Sequence, residues 1–288
     1  YALLGLTQAT GLAGGFDLYF LPGCAIIEKK SIEGKAHDKS DRSAASPKGK
    51  RHLRQEHSMK KQNLTLAGIP AILYGERSRK VYLYVHGRQG CKEEAERFAY
   101  TACEQSWQVL AIDLPEHGAR RNSPEKLVPW VVVPELQAVY ARMKPVWNKM
   151  ALYGVSIGAW FSMQALQEDA PQKALLVSPI VDMEALISGM MQRACVTEDQ
   201  LQTAGEIPTS FGETLSWECL TWVREHPLHW HARTQVLYGD RDALTSRTAL
   251  EGFRQQSRAH LTIVEGGEHW FHTETQMAVL QSWEDVQC

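Results

Sequence analysis

From residue 63 onward the apolar residues fall into short runs that alternate with stretches of helical spacing. Positions 63–67 and 71–74 predict a short hairpin. KVYLYVH at 80–86 is a nearly unbroken apolar run, as a strand covered on both faces requires. Over 92–103 the period becomes helical, with Ala95, Phe98, Ala99 and Ala102 on one face. A strand at 107–112, a helix around 133–143, a strand at 149–153, a helix from 157 to about 168 and a strand at 173–177 continue the alternation. Residues 179–230 break the rhythm with two or three helical segments, one opened by the capping-box pattern Thr197-x-x-Gln200. It resumes with strand 234–238, helix 246–256, strand 260–264 and a final helix near 273–283. Strands alternating with helices predict an α/β fold, a mostly parallel, doubly wound sheet carrying 179–230 as an insertion.

The first part of the chain follows a different pattern. Residues 1–27 carry one charge, Asp17, whereas residues 28–61 carry eleven Lys/Arg and five Asp/Glu with little apolar content beyond Ile32, Leu53 and Met59. The second stretch is predicted to be disordered. Three readings compete for the first. Leu21-Pro22-Gly23-Cys24 resembles a lipobox, which makes an exported lipoprotein through Cys24 one alternative, although Asp17, Pro22 and the lack of a basic lead count against it. A membrane anchor is interrupted by Gly5, Gln8, Thr10, Gly11, Gly14, Gly15 and Asp17, so no stable membrane insertion is expected. In the third reading residues 1–58 are a leader or an added segment, and the domain proper, 59–288, starts at Met59. Codons for Gln55-Glu56 can hold a ribosome-binding AGGAG just ahead of it.

Charge then removes one class of partner. Residues 59–288 hold 22 basic and 27 acidic residues, and the whole chain has a net charge of -2, so nothing provides a positive field for a phosphate backbone. No nucleic-acid partner is expected. The six cysteines are scattered without a CxxC pair or a zinc spacing, which fits thiols of a reducing, cytoplasmic compartment and no metal site. Neither an internal repeat nor a GxxxxGK[ST] or GxGxxG phosphate loop occurs.

The candidate chemistry sits at the ends of the predicted strands. Gly154-Val155-Ser156-Ile157-Gly158 matches G-x-S-x-G between a strand and a helix, a setting in which side chains two positions either side of the serine would collide. A Gly-rich turn with a surface serine is the bland alternative. Downstream, Gly239-Asp240-Arg241-Asp242 and Gly266-Gly267-Glu268-His269 again follow strands, at the sheet edge where ligands bind. A serine hydroxyl needs a base to take its proton, and the imidazole needs a carboxylate on its far nitrogen. Ser156, His269 and Asp242 can fill those roles; Asp240 and Asp182 are rival acids. An oxyanion needs backbone donors, and Ile157 and Arg88, on the loop after His86-Gly87, are the candidates. For Arg88-Gln89-Gly90 a plain strand-to-helix turn is the other reading. His272 reads as a supporting or surface residue and His117 as a stabiliser of its own loop. Met183, Met190, Met191, Trp217, Trp222 and Trp230 read as core, with some left open as lining of an acyl pocket.

Residues 63–286 resemble the α/β-hydrolase superfamily, in particular compact serine esterases and acyl-peptidases with a short helical lid after the sixth strand. HGRQG (86–90), DLPEHG (113–118), GVSIG (154–158), GDRD (239–242) and GGEHWF (266–271) carry the resemblance; Arg88-Gln89 departs from the frequent HGGG, and residues 1–58 have no counterpart. The resemblance implies a serine hydrolase that cleaves small-molecule carboxylic esters of short to medium acyl chain through an acyl-enzyme, without cofactor or metal. A peptidase or thioesterase on the same residues, and a non-catalytic binding protein with this fold, are the rivals. Oligomeric state is not legible.

Overall fold

A computed structural model describes residues 59–288, which lie within the compact unit Gln55–Cys288. The expectations for residues 1–58, including the lipobox-like Cys24 and the leader, lie outside the described residues. Strands β1 (Lys61–Leu66) and β2 (Ile69–Tyr74) form an antiparallel hairpin turning at Ala67-Gly68, both with positive φ. The first strand thus begins two residues earlier than expected, at the end of the charged stretch. The first three residues of β1 are exposed at the sheet edge, so polar side chains serve there.

The alternating part runs β3 (Lys80–Val85), α1 (Ala95–Glu104), β4 (Gln108–Ile112), α2 (Pro129–Met143), β5 (Lys149–Val155), α3 (Ser156–Leu166) and β6 (Lys173–Val177). An insertion follows: α4 (Met183–Ala194), α5 (Glu198–Ala204), a hairpin of β7 (Glu206–Pro208) and β8 (Thr214–Ser216), and α6 (Trp217–Glu225). Then come β9 (Thr234–Gly239), α7 (Arg247–Ser257), β10 (His260–Val264) and α8 (Glu274–Gln287). The main sheet has eight strands in the order β1-β2-β4-β3-β5-β6-β9-β10, parallel from β4 to β10. Every residue of β4 and five of six in β3 are buried, which explains their continuous apolar runs.

Helices cover both faces. Phe98 and Ala102 of α1 and Leu280 and Trp283 of α8 pack on one side of the sheet; Val132 and Leu136 of α2, Phe161 of α3 and Leu250 and Phe253 of α7 pack on the other. On the first face Glu284 is fully buried, and it accepts from the Arg97 guanidinium and the Tyr153 hydroxyl. Helix α2 begins four residues before the expected start, with Pro129 at its first position, where a missing N–H costs nothing. Pro134 lies inside it and forgoes a bond to Trp130. In the insertion, Arg224 of α6 pairs with Glu184 of α4 and Glu198 of α5. Met183, Met191 and Trp230 are buried core residues, while Met190, Trp217 and Trp222 are half-buried against that core. Among the described residues no helix is long and apolar enough to cross a membrane.

Strand order fixes where a site can form. The chain leaves β3 for β4 on one side and later returns to β5 on the other, so direction switches between β3 and β5. Loops leaving the carboxyl ends of those strands diverge there and open a crevice.

Candidate active site

Ser156 occupies that crevice as the first residue of α3, with φ +51 between the extended Val155 and the helix. The flanking glycines are required by close approach. A Cβ on Gly154 would come 2.8 Å from the Ala159 Cα, and one on Gly158 only 2.1 Å from the His86 carbonyl oxygen. Serine in the left-handed region costs about 1–2 kcal/mol, and the turn directs its hydroxyl at a histidine.

Ser156 Oγ lies 2.7 Å from His269 Nε2, and His269 Nδ1 lies 2.7 Å from Asp242 Oδ2. The Asp242 side chain is fully buried, and its Oδ1 accepts from the N–H groups of Leu244 (2.7 Å) and Thr245 (3.0 Å). An ionised carboxylate accepts only, so His269 carries its proton on Nδ1 and offers a lone pair at Nε2 to the serine O–H. The two supporting loops interlock through backbone: Arg241 N–H donates to Gly267 O (2.8 Å), and a Cβ on Gly239 would lie 2.4 Å from Gly267 C.

The rival acids have other work. Asp240 accepts from the Gly266 N–H at 2.7 Å and braces the histidine loop. Asp182 is the N-cap of α4, accepting from Ala185 N–H at 2.9 Å. His272 is exposed, donates from Nδ1 to the Trp270 carbonyl (2.9 Å) and stacks on the Trp270 indole at 5.0 Å.

Facing the serine is the turn Gly87–Gly90. A Cβ on Gly87 would stand 3.2 Å from Ser156 Cβ, so the turn passes too close to the serine to carry a side chain comfortably. Gly90 N–H donates to Gly87 O (3.1 Å), and Gln89 has φ +65. Ile157 is the second residue of α3, where backbone N–H groups lack helical partners and the dipole favours negative charge. Arg88 sits on the opposing turn, its Nε 2.8 Å from Glu213 at the tip of the β7–β8 hairpin.

No family model matches the chain, and no curated protein matches it in sequence. Solved structures do. Est1E from Butyrivibrio proteoclasticus with bound ferulic acid matches at a TM-score of 0.62 and 17% identity, covering 78% of this chain and 96% of that one. TT1662 from Thermus thermophilus matches at 0.56 and 19%, covering 79% and 98%. The Pyrococcus furiosus esterase Pf2001 matches at 0.53 and 16%, covering 79% and 89%. The chain has the α/β-hydrolase fold.

Within this α/β-hydrolase fold two buried histidines, neither anticipated in this role, tie the turn after β3 to the loop after β4. His86 Nδ1 faces Gly87 O (2.7 Å) and its Nε2 receives the Leu114 N–H (3.0 Å). Burial pushes its pKa down to about 4. His117 Nδ1 faces Pro115 O (2.7 Å) and its Nε2 receives the Gln89 N–H (2.9 Å). Burial, with Arg88 nearby, holds His117 below the usual imidazole range. His117 therefore braces the turn after β3 as well as its own loop. The sequence flagged both segments as motifs, but only the fold reveals the bond between them.

Proposed function

We propose that this protein is a serine hydrolase that cleaves carboxylic esters of short to medium acyl chain through an acyl-enzyme. The observation that carries the reading is the pair of 2.7 Å contacts joining Ser156, His269 and Asp242 at the carboxyl edge of the sheet. In this reading Ser156 Oγ attacks the acyl carbon as His269 Nε2 takes its proton, and the carbonyl π pair moves onto oxygen. The oxyanion is held by the Ile157 N–H at the start of α3 and by the Arg88 N–H. Its collapse expels the alcohol, protonated by His269. Water, deprotonated by the same imidazole, then releases the acid and restores the serine. Asp242 keeps the imidazole in the productive tautomer and stabilises its cation. These groups supply every role that acyl transfer needs, so no cofactor enters the proposal.

Two of the similar structures described above are named as an esterase or hold ferulic acid, which agrees with ester chemistry. The test is fluorophosphonate labelling of Ser156 together with a panel of p-nitrophenyl esters of increasing acyl length, aminoacyl amides and acyl-CoA. Labelling of the wild type, none of Ser156→Ala, and the fastest turnover on short or medium esters are expected. Faster turnover of an amide or thioester would move the reading to a peptidase or thioesterase. An unlabelled Ser156 with no turnover would leave a binding protein.

A further inference from the structure

We propose that His117 is a positioning residue for the oxyanion loop: its Nε2 lone pair, given to the Gln89 N–H, locks residues 87–90 in the turn that aims the Arg88 N–H at the acyl oxygen. The proposal rests on the serine-hydrolase reading and goes beyond it, since His117 lies outside the Ser156–His269–Asp242 chain.

The turn Gly87–Gly90 is closed by the Gly90 N–H to Gly87 O bond, and its third residue, Gln89, has φ +65, the backbone of a type II turn. Glycine suits that position; glutamine there is strained. The strain relaxes if the central peptide, Arg88 C=O with Gln89 N–H, rotates and returns Gln89 to negative φ. That same N–H is the one His117 holds at 2.9 Å. That hydrogen bond opposes the rotation and offsets the strain.

His117 is itself held on several sides. The ring is buried and lies 5.2 Å from the His86 ring, while Nδ1–H is committed to Pro115 O. Its own N–H donates to Leu114 O, and its C=O accepts from Arg120 N–H. Nε2 therefore acts only as an acceptor. The near end of the turn is held as firmly, by His86 Nδ1–H on Gly87 O. Gly87 is packed against Ser156, and the Gly87–Arg88 peptide that carries the donor adjoins the one that rotates, so a turn released at Gln89 no longer fixes the Arg88 N–H relative to the nucleophile.

The experiment compares His117→Phe, which keeps a ring but loses the acceptor, with His117→Gln, whose Oε1 reaches the place of Nε2. Steady-state ester hydrolysis is measured beside hydrogen exchange of the Gln89 amide. Loss of a whole oxyanion donor costs ~10²–10³-fold in kcat. A displaced donor in His117→Phe is therefore expected to lower kcat ~10-fold or more with KM little changed, and to speed Gln89 exchange. His117→Gln should restore most of kcat and the protection. The proposal is overturned by a Phe variant with wild-type kcat, by a slow Phe variant whose Gln89 amide stays protected, or by a folded Gln variant no faster than Phe. Exchange at Gln89 does not depend on catalysis. If the wild type hydrolyses nothing, the hydrolase reading fails while the His117–Gln89 clamp is still decided.

Discussion

Replacing Asp242 by asparagine changes one atom and inverts the logic of the site. Oδ1 of Asp242 accepts two backbone N–H groups, from Leu244 and Thr245, so in the Asp242→Asn variant the amide oxygen must stay there and the NH₂ must face His269. An NH₂ 2.7 Å from Nδ1 requires that nitrogen to accept, which moves the imidazole proton to Nε2, directly opposite Ser156 Oγ. No base then faces the serine. Recovering the productive tautomer forfeits a charge-assisted hydrogen bond of about 1.5–3 kcal/mol. The imidazolium formed in the reaction also loses a buried carboxylate, worth about 4 kcal/mol at ~4 Å and an effective dielectric of about 20. Together these correspond to a ~10⁴–10⁵-fold loss, whose lower end is the size seen when a triad acid is made an amide. The assay is kcat and KM on the best ester of the panel, with the rate of fluorophosphonate labelling as a check independent of deacylation. KM should change little, and thermal stability should stay near wild type because both loop hydrogen bonds survive. An Asp242→Asn enzyme within about ten-fold of wild type, or an inactive Asp182→Asn beside it, would refute the reasoning.

Further outcomes follow from strain, burial and composition. Ser156→Gly should be more stable than Ser156→Ala by about 1 kcal/mol in urea unfolding, since only glycine is at ease at φ +51; equal stabilities would mean that the turn carries no strain there. His86 is neutral when buried, with a folded pKa of about 4 against 6.5 unfolded. Its contribution is complete above pH 6.5 and is lost as pH falls toward 4, so a His86→Gln variant should show a shallower fall in stability between pH 6.5 and 5, by up to about 1.4 kcal/mol per pH unit. Identical slopes would remove His86 as the cause. A protein lacking residues 1–58 should keep its ester turnover and unfold cooperatively near the full-length midpoint, because the charged stretch 28–58 has too little apolar content to support a core. Loss of either property would assign that segment a place on the domain.

The parts of the site legible in sequence were those written locally. GVSIG places serine and both crowded glycines within five residues, and GDRD and GGEHWF each end an apolar run that reads as a strand. What escaped was set by partners distant in sequence. His117 and Gln89 are 28 positions apart, and a ring nitrogen bonded to a backbone N–H leaves no pattern in side-chain identities. The β7–β8 hairpin has three-residue strands, EIP and TLS, too short to show a period of two, and one contains proline. Glu213 on its turn meets Arg88 only because the insertion folds back toward the β3 loop. Helix α2 starts at Pro129, four residues ahead of the expected 133, and Pro134 lies inside it. Lys61 and Gln62 belong to β1, yet as exposed residues of an edge strand they carry the composition of the charged segment before them.

Strain is distributed in a way that only the sheet explains. Among the described residues eight non-glycine positions have positive φ. Ala67 and Ser106 lie in turns, and Cys195 and Arg258 end α4 and α7, where left-handed caps are common. The other four, Gln89, Glu116, Ser156 and Ser178, follow β3, β4, β5 and β6, four strands adjacent in the sheet, and all lie beyond the same carboxyl edge. Each costs about 1–3 kcal/mol unless its surroundings over-determine it. Here they do. Gln89 is held by His117, Glu116 accepts from the Leu127 N–H, the Ser156 carbonyl accepts from Ile180 N–H, and Ser178 N–H donates to Leu237 O. Strands buried on both faces cannot yield to relieve these turns, so the strain stays at the edge where Ser156 meets His269. Replacing Gln89, Glu116 or Ser178 by glycine relieves strain and also frees the backbone that aims the site, which is why stability gained there is expected to cost turnover.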